Sequence, residues 1–129
     1  MKFEEAADIS ESIRRIVAAL DLRNIDTERL FCMRSFGSKG RSIARIWSMP
    51  KIWQKAMGIK AHYVIEVISE KFDRLSVEER EKTLIHELLH IPKSFSGGLV
   101  PHNCFGKKID RRSVDKLFNQ YKNSLRLNN

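Results

Sequence analysis

Ser76-Val77-Glu78-Glu79-Arg80-Glu81-Lys82-Thr83-Leu84-Ile85-His86-Glu87-Leu88-Leu89-His90-Ile91-Pro92 is the stretch on which the reading of this chain turns. Ser76 with Glu79 three residues on forms a capping box, which satisfies the otherwise orphaned first amides of a helix. Pro92 disfavours helical geometry at Ile91 and stops the helix there. One helix is therefore expected over Val77 to Ile91, with His86 and His90 in its last turns. At roughly 100° per residue, Val77, Leu84, Ile85, Leu88 and Leu89 gather on the arc away from the two histidines. Such a helix packs its apolar arc on a core and leaves the histidines facing open space.

Upstream, His62 to Ser69 is dense in β-branched and aromatic residues and reads as the strongest strand in the chain. Leu30 to Phe36 and Ile43 to Met49 are two further apolar runs around Gly37-Ser38-Lys39-Gly40, a pattern that suits two antiparallel strands joined as a hairpin. Pro50 ends the second run, and Lys51 to Met57 reads as a short helix closed by Gly58. Apolar positions from Phe3 to Leu22 (Phe3, Ala6, Ala7, Ile13, Ile16, Val17, Leu20) recur at threes and fours, the stripe of an amphipathic helix. Downstream, Gly97-Gly98 and Pro101 make Pro92 to Lys108 a loop. A basic helix from about Asp110 to Ser124 follows, with Val114, Leu117, Phe118 and Tyr121 on its buried stripe. These elements predict an α+β fold: a three-stranded, mainly antiparallel sheet packed on the histidine helix, with flanking amino- and carboxy-terminal helices. At 129 residues the chain is expected to form a single domain over 1–129.

With 42% hydrophobic and 31% charged residues, the composition is that of a packed protein rather than a disordered one. No apolar run approaches the roughly 20 residues that span a bilayer. The amino end lacks the basic-then-apolar pattern of a secretory signal. A cytoplasmic protein with no membrane partner is expected. Cys32 and Cys104 show no disulfide framework and read as reduced thiols.

His86-Glu87-Leu88-Leu89-His90 is H-E-x-x-H, and histidines at i and i+4 of a helix project from one face about 6 Å apart. Two imidazoles at that spacing can take two corners of a zinc tetrahedron. Glu87 is placed beside them, where its carboxylate can take a proton from a zinc-activated water attacking a carbonyl. The pattern points to a zinc-dependent peptidase acting on a peptide or protein. A catalytic zinc needs a third protein ligand, and His102 is the first choice, since Gly97-Gly98 can reverse the chain and Pro101 fixes its approach. Cys104, Asp110 and Asp115 are the other options; a thiolate suits a closed structural site, and Asp110 reads better as the N-cap of the last helix. His62 opens the strong strand and reads as structural or solvent-facing.

The segment Tyr63 to Gly106, with HELLHIPKSFSGG at 86–98 and PHNCFG at 101–106, resembles the small metallopeptidases of phage and archaeal genomes and, more distantly, the SprT-like zincins. The resemblance covers about a third of the chain. It implies a minimal zincin-like domain with His86, His90 and His102 as zinc ligands and Glu87 as catalytic base. It also implies that the strand before the active helix, Tyr63 to Ser69, is an edge that takes substrate backbone. Lys93 and Ser96 stand where a metzincin has glycine and a third histidine, so metzincin specificity does not carry over.

A second feature stands apart from this chemistry. The formal net charge is +8, and from Arg29 to Tyr63 there is no Asp or Glu. Arg29, Arg34, Lys39, Arg41, Arg45, Lys51, Lys55 and Lys60 all fall in that tract, interleaved with Phe31, Phe36, Trp47 and Trp53. Cations that meet phosphate and aromatics that stack on bases make nucleic acid a possible partner. In the competing view the aromatics are core and the cations a solvated face.

Overall fold

The computed structural model describes residues 1–127. At its centre lies β4 (Tyr63–Ile68), whose residues are almost all buried. A strand apolar on both faces belongs inside a sheet, and the order is β1-β2-β4-β3, with β1 at Lys2–Glu5, β2 at Leu30–Phe36 and β3 at Ala44–Trp47. β2 runs parallel to β4 with Leu30 opposite Tyr63. β3 runs antiparallel to β4 with Ala44 opposite Val67, and β1 runs antiparallel along β2.

The sheet is thus four-stranded and mixed, not three-stranded and mainly antiparallel. The expected hairpin does not form, because β4 lies between β2 and β3. A glycine-flanked turn reverses the chain, but it does not choose the strand that receives its hydrogen bonds; the most apolar strand takes the centre. For the same reason Tyr63–Ile68 is no edge. The edges are β1 and β3. The third correction is at the amino end, where Phe3 to Glu5 belong to β1 and helix α1 covers only Ala7–Ala19. Phe3 fits the helical stripe by spacing alone; β2 offers an open edge to the segment, and the Ala6 amide donates to the Cys32 carbonyl at 3.0 Å where the strand ends.

Lys51–Met57 forms α2, closed by Gly58 at φ 66°, and Ser69–Phe72 forms the short α3. α4 spans Val77–Leu89, capped by the Ser76 hydroxyl accepting from the Glu79 amide at 3.1 Å. It ends with His90 as C-cap, two residues before the predicted stop. α5 spans Arg111–Leu127 and runs past the expected end at Ser124. Asp110 caps it, accepting from the Ser113 amide at 3.0 Å.

Helices α1, α4 and α5 share one face of the sheet. Ile13 and Ile16, Leu84, Ile85 and Leu88, and Val114, Phe118 and Tyr121 join Leu30, Cys32, Tyr63, Ile65 and Val67 in one core. Burying each large side chain contributes about 1.5–3 kcal/mol. Val77, expected on this arc, is 66% exposed and takes no part. Arg34 on β2 ties elements together, donating to both carboxylate oxygens of Asp8 at 2.6 and 2.9 Å and to Asp73 at 3.0 Å. Cys32 and Cys104 are both free. Among the described residues no helix is long and apolar enough to cross a membrane.

Candidate metal centre

Packing Leu84, Ile85 and Leu88 against the core leaves His86 half-buried on another side of α4, but His90, at the helix end, is buried at 8% exposure rather than facing open space. The loop after α4 brings His102 over them. Ring centroids lie 5.2 Å apart for His86–His90, 5.2 Å for His86–His102 and 4.6 Å for His90–His102. One ring nitrogen from each lies within 4.8 Å of the others, an arrangement able to hold a metal ion. His86 Nε2 and His102 Nε2 are 3.2 Å apart. Two nitrogens on one tetrahedral ion at 2.0–2.1 Å stand roughly 3.3 Å apart, so the spacing suits shared ligation.

The supporting contacts orient the donors. His90 Nδ1 lies 2.6 Å from the Val100 carbonyl, which accepts its proton and leaves Nε2 free to ligate. The Val100 amide in turn donates to the His90 carbonyl at 2.7 Å, so the loop grips this residue from both sides. Burial, with the neighbouring positive charges of His90 and His102, pushes His86 below its ordinary pKa, which favours the neutral imidazole a metal requires.

Two residues that the sequence reading passed over fix the loop. The Tyr63 hydroxyl, fully buried, donates to the Gly98 carbonyl at 2.8 Å and accepts from the Gly97 amide at 2.8 Å. Gln54 of α2 donates to the carbonyls of Met49 at 2.8 Å and Ser96 at 2.9 Å. Gly97 has φ 102°, and a Cβ there would lie 2.3 Å from the Met49 carbonyl oxygen. Only glycine fits so close an approach. The glycine pair signals this tight turn in the sequence; the partners of Tyr63 and Gln54 leave no local signal.

Glu87 is 7% exposed, and its Oε2 accepts no hydrogen bond among the described residues. Burial raises its carboxyl to about 7, opposed by the charge of His102. A cleft of about 390 Å³ opens beside His86 and Glu87, walled by Ile43 and Ala44 of the β3 side, by Thr83 of α4 and by Val114 of α5. β3 pairs only with β4 in the sheet, and its first residue, Ala44, lines this cleft.

The other candidates lie elsewhere. His62 Nδ1 donates to the Lys60 carbonyl, 2.7 Å away, and its ring stacks on Phe31. Cys104 sits in a two-residue ladder, Asn103–Cys104 with Lys107–Lys108, outside the histidine cluster. Asp110 caps α5, and Asp115 lies 3.0 Å from Lys82.

No curated protein and no solved structure matches the chain significantly. The family model described as "Putative phage metallopeptidase" matches residues 1–123, far beyond the third of the chain that carries the motif resemblance, and the chain belongs to that family.

Proposed function

We propose that this protein is a zinc-dependent peptidase in which His86, His90 and His102 hold the metal and Glu87 is the general base. One observation carries this reading: three imidazole nitrogens converge within 4.8 Å of one another beside a buried carboxylate, at an open cleft. Three imidazole nitrogen donors with a position left open suit zinc, and when bound zinc supplies Lewis acidity that acidifies water and polarises a carbonyl near neutral pH.

The chain's own residues supply the rest. Glu87, buried next to His86, would accept a proton from the attacking water and return it to the departing amine. Its unpartnered Oε2 leaves that acceptor uncommitted. Substrate backbone adds alongside β3 rather than alongside Tyr63–Ile68, since β3 pairs only with β4 and its first residue, Ala44, lines the cleft. The substrate class is an extended peptide or an unfolded protein segment.

The test uses protein purified without chelator, assayed for zinc by mass spectrometry and for cleavage of an unfolded fluorogenic protein. We expect about one zinc per chain, cleavage lost with chelator and restored by zinc. Glu87→Gln should keep the zinc while turnover falls roughly 10²–10⁴-fold, the scale of a lost general base. Fresh protein without metal, or an undiminished rate in Glu87→Gln, would sink the assignment.

A further inference from the structure

None of the cations of the basic tract lies in the histidine cluster, although Arg41 lines the cleft beside His86, and the fold sorts them into two sets. Arg29 pairs with Asp26 at 2.9 Å, Arg34 with Asp8 and Asp73, and Arg45 with Glu66 at 3.7 Å. Lys39, Arg41, Lys51, Lys55 and Lys60 have no carboxylate partner among the described residues. Three of these, Lys51, Lys55 and Lys60, belong to α2 and the segment that follows it. That segment connects the end of β3 to the start of β4.

Phe31 and Trp47 lie at that same end of the sheet, whereas Phe36 lies at the opposite end, paired with Lys2 of β1. Register places Phe31 opposite Val64 and Val64 opposite Trp47, so the three side chains form one row across β2, β4 and β3. That row lies on the face away from the helices, because the alternate residues Leu30, Cys32, Tyr63, Ile65 and Ile46 are the ones that meet the core. Phe31 is 51% and Trp47 54% exposed. His62 stacks parallel on the Phe31 ring, 5.9 Å between centroids with planes 10° apart. α2 adds Trp53, 59% exposed. Core packing therefore does not account for these rings.

We propose that this outer sheet face, with α2, binds single-stranded nucleic acid. Strands about 4.8 Å apart put Phe31 and Trp47 roughly 10 Å apart, close to three base-stacking steps of about 3.4 Å. Exposed rings on a flat sheet receive the faces of unpaired bases, which a duplex keeps buried, and the adjoining lysines meet phosphate. The acid in the middle of this face, Glu66, is 4% exposed and engaged by Trp47 Nε1 at 2.8 Å and by Arg45. Glu5, on the far strand β1, bounds the face at its other side. An anionic membrane would also attract the lysines, but a row laid across a pleated sheet suits a chain lying on it better than a tip entering lipid.

Trp47 lies on this face and Trp53 on α2, and they are the two tryptophans of the chain, so intrinsic fluorescence reports on both parts of the proposed site. The full-length protein is titrated with oligothymidylate, with a duplex of equal length and with phosphatidylserine vesicles, each with and without chelator, because binding here needs no metal. We expect quenching by the single strand, weaker binding of the duplex, and a log-log salt slope near −0.7 per neutralised phosphate. Phe31→Ala and Trp53→Ala, both at exposed positions, should each raise Kd roughly tenfold with circular dichroism unchanged. Replacing Lys51, Lys55 and Lys60 together by Glu should weaken binding and flatten the salt slope. No quenching at about 0.1 mM oligonucleotide, the weak limit of non-specific binding, overturns the proposal. So does affinity unmoved by both aromatic substitutions, or a response to vesicles alone, which would make this a lipid surface. None of these outcomes bears on zinc content or cleavage.

Discussion

On its helical side β4 sends Tyr63, Ile65 and Val67 into a core where none is exposed, while on its other side Val64 lies between Phe31 and Trp47, each about half exposed. The first face is over-determined: helix packing aims His86 and His90, and bonds from Tyr63, Gln54 and Val100 hold the loop that presents His102. The second face leaves Phe31 and Trp47 half exposed at one end, while its buried acid, Glu66, is engaged by Trp47 and Arg45. A site that must hold several atoms at set distances needs the packed side, whereas a surface for flexible polymers needs none of that support. The two faces should therefore answer differently to substitution.

The largest contrast concerns metal. His86→Ala or His90→Ala should reduce zinc affinity by more than the roughly 10–100-fold typical of a lost supporting contact, while Trp53→Ala leaves it unchanged. Competition with a chromogenic chelator measures this, and equal effects from both kinds of change would erase the distinction between the faces.

Next come the residues that hold the loop. Gly97→Ala forces a Cβ to 2.3 Å from the Met49 carbonyl oxygen at a positive φ, and should cost about 1–3 kcal/mol. Gly98→Ala meets nothing within 4 Å and should stay within about 0.5 kcal/mol of wild type. Thermal melts of the two neighbours, with zinc affinity read in parallel, show whether support of the loop and metal binding are one property.

Tyr63→Phe removes a hydroxyl that both donates and accepts in a buried position, leaving the Gly97 amide without its partner. A loss of about 1–3 kcal/mol is expected, together with weaker zinc binding; a melt unchanged from wild type would show that the loop is held by Gln54 and Val100 alone.

The smallest effect is electrostatic. The Arg34 guanidinium holds Asp8 below the usual carboxylate range, and at Asp73 burial pushes upward but Arg34 and Ser69 outweigh it. Carboxyls depressed in the fold add stability above their unfolded pKa near 3.9 and lose it as pH falls through the lower folded values. Both aspartates are largely exposed, so screening limits the loss to about 1 kcal/mol or less. Melting curves from pH 6 to pH 3 should show a steeper acid decline in wild type than in Arg34→Met.

Read as a sequence alone, the chain determines its local structure. The Ser76 box starts α4, H-E-x-x-H puts two imidazoles on one side of it, Gly58 closes α2, and Asp110 caps α5, because each depends on residues a few positions apart. The histidine loop was legible for the same reason: its glycine pair and proline are local signals. Strand order was not legible. Whether β3 pairs with β2 or β4, and whether Phe3 extends a helix or begins β1, is decided by competition for hydrogen-bonding edges between segments far apart in the chain. That competition also decided which strand edges stay unpaired, which arginines meet carboxylates, and that Phe31 and Trp47 share a row. Tyr63 shows the same division within one residue: its apolar ring belongs to a strand any sequence reading finds, whereas its hydroxyl acts on Gly97 and Gly98 only once the loop after α4 folds back upon it.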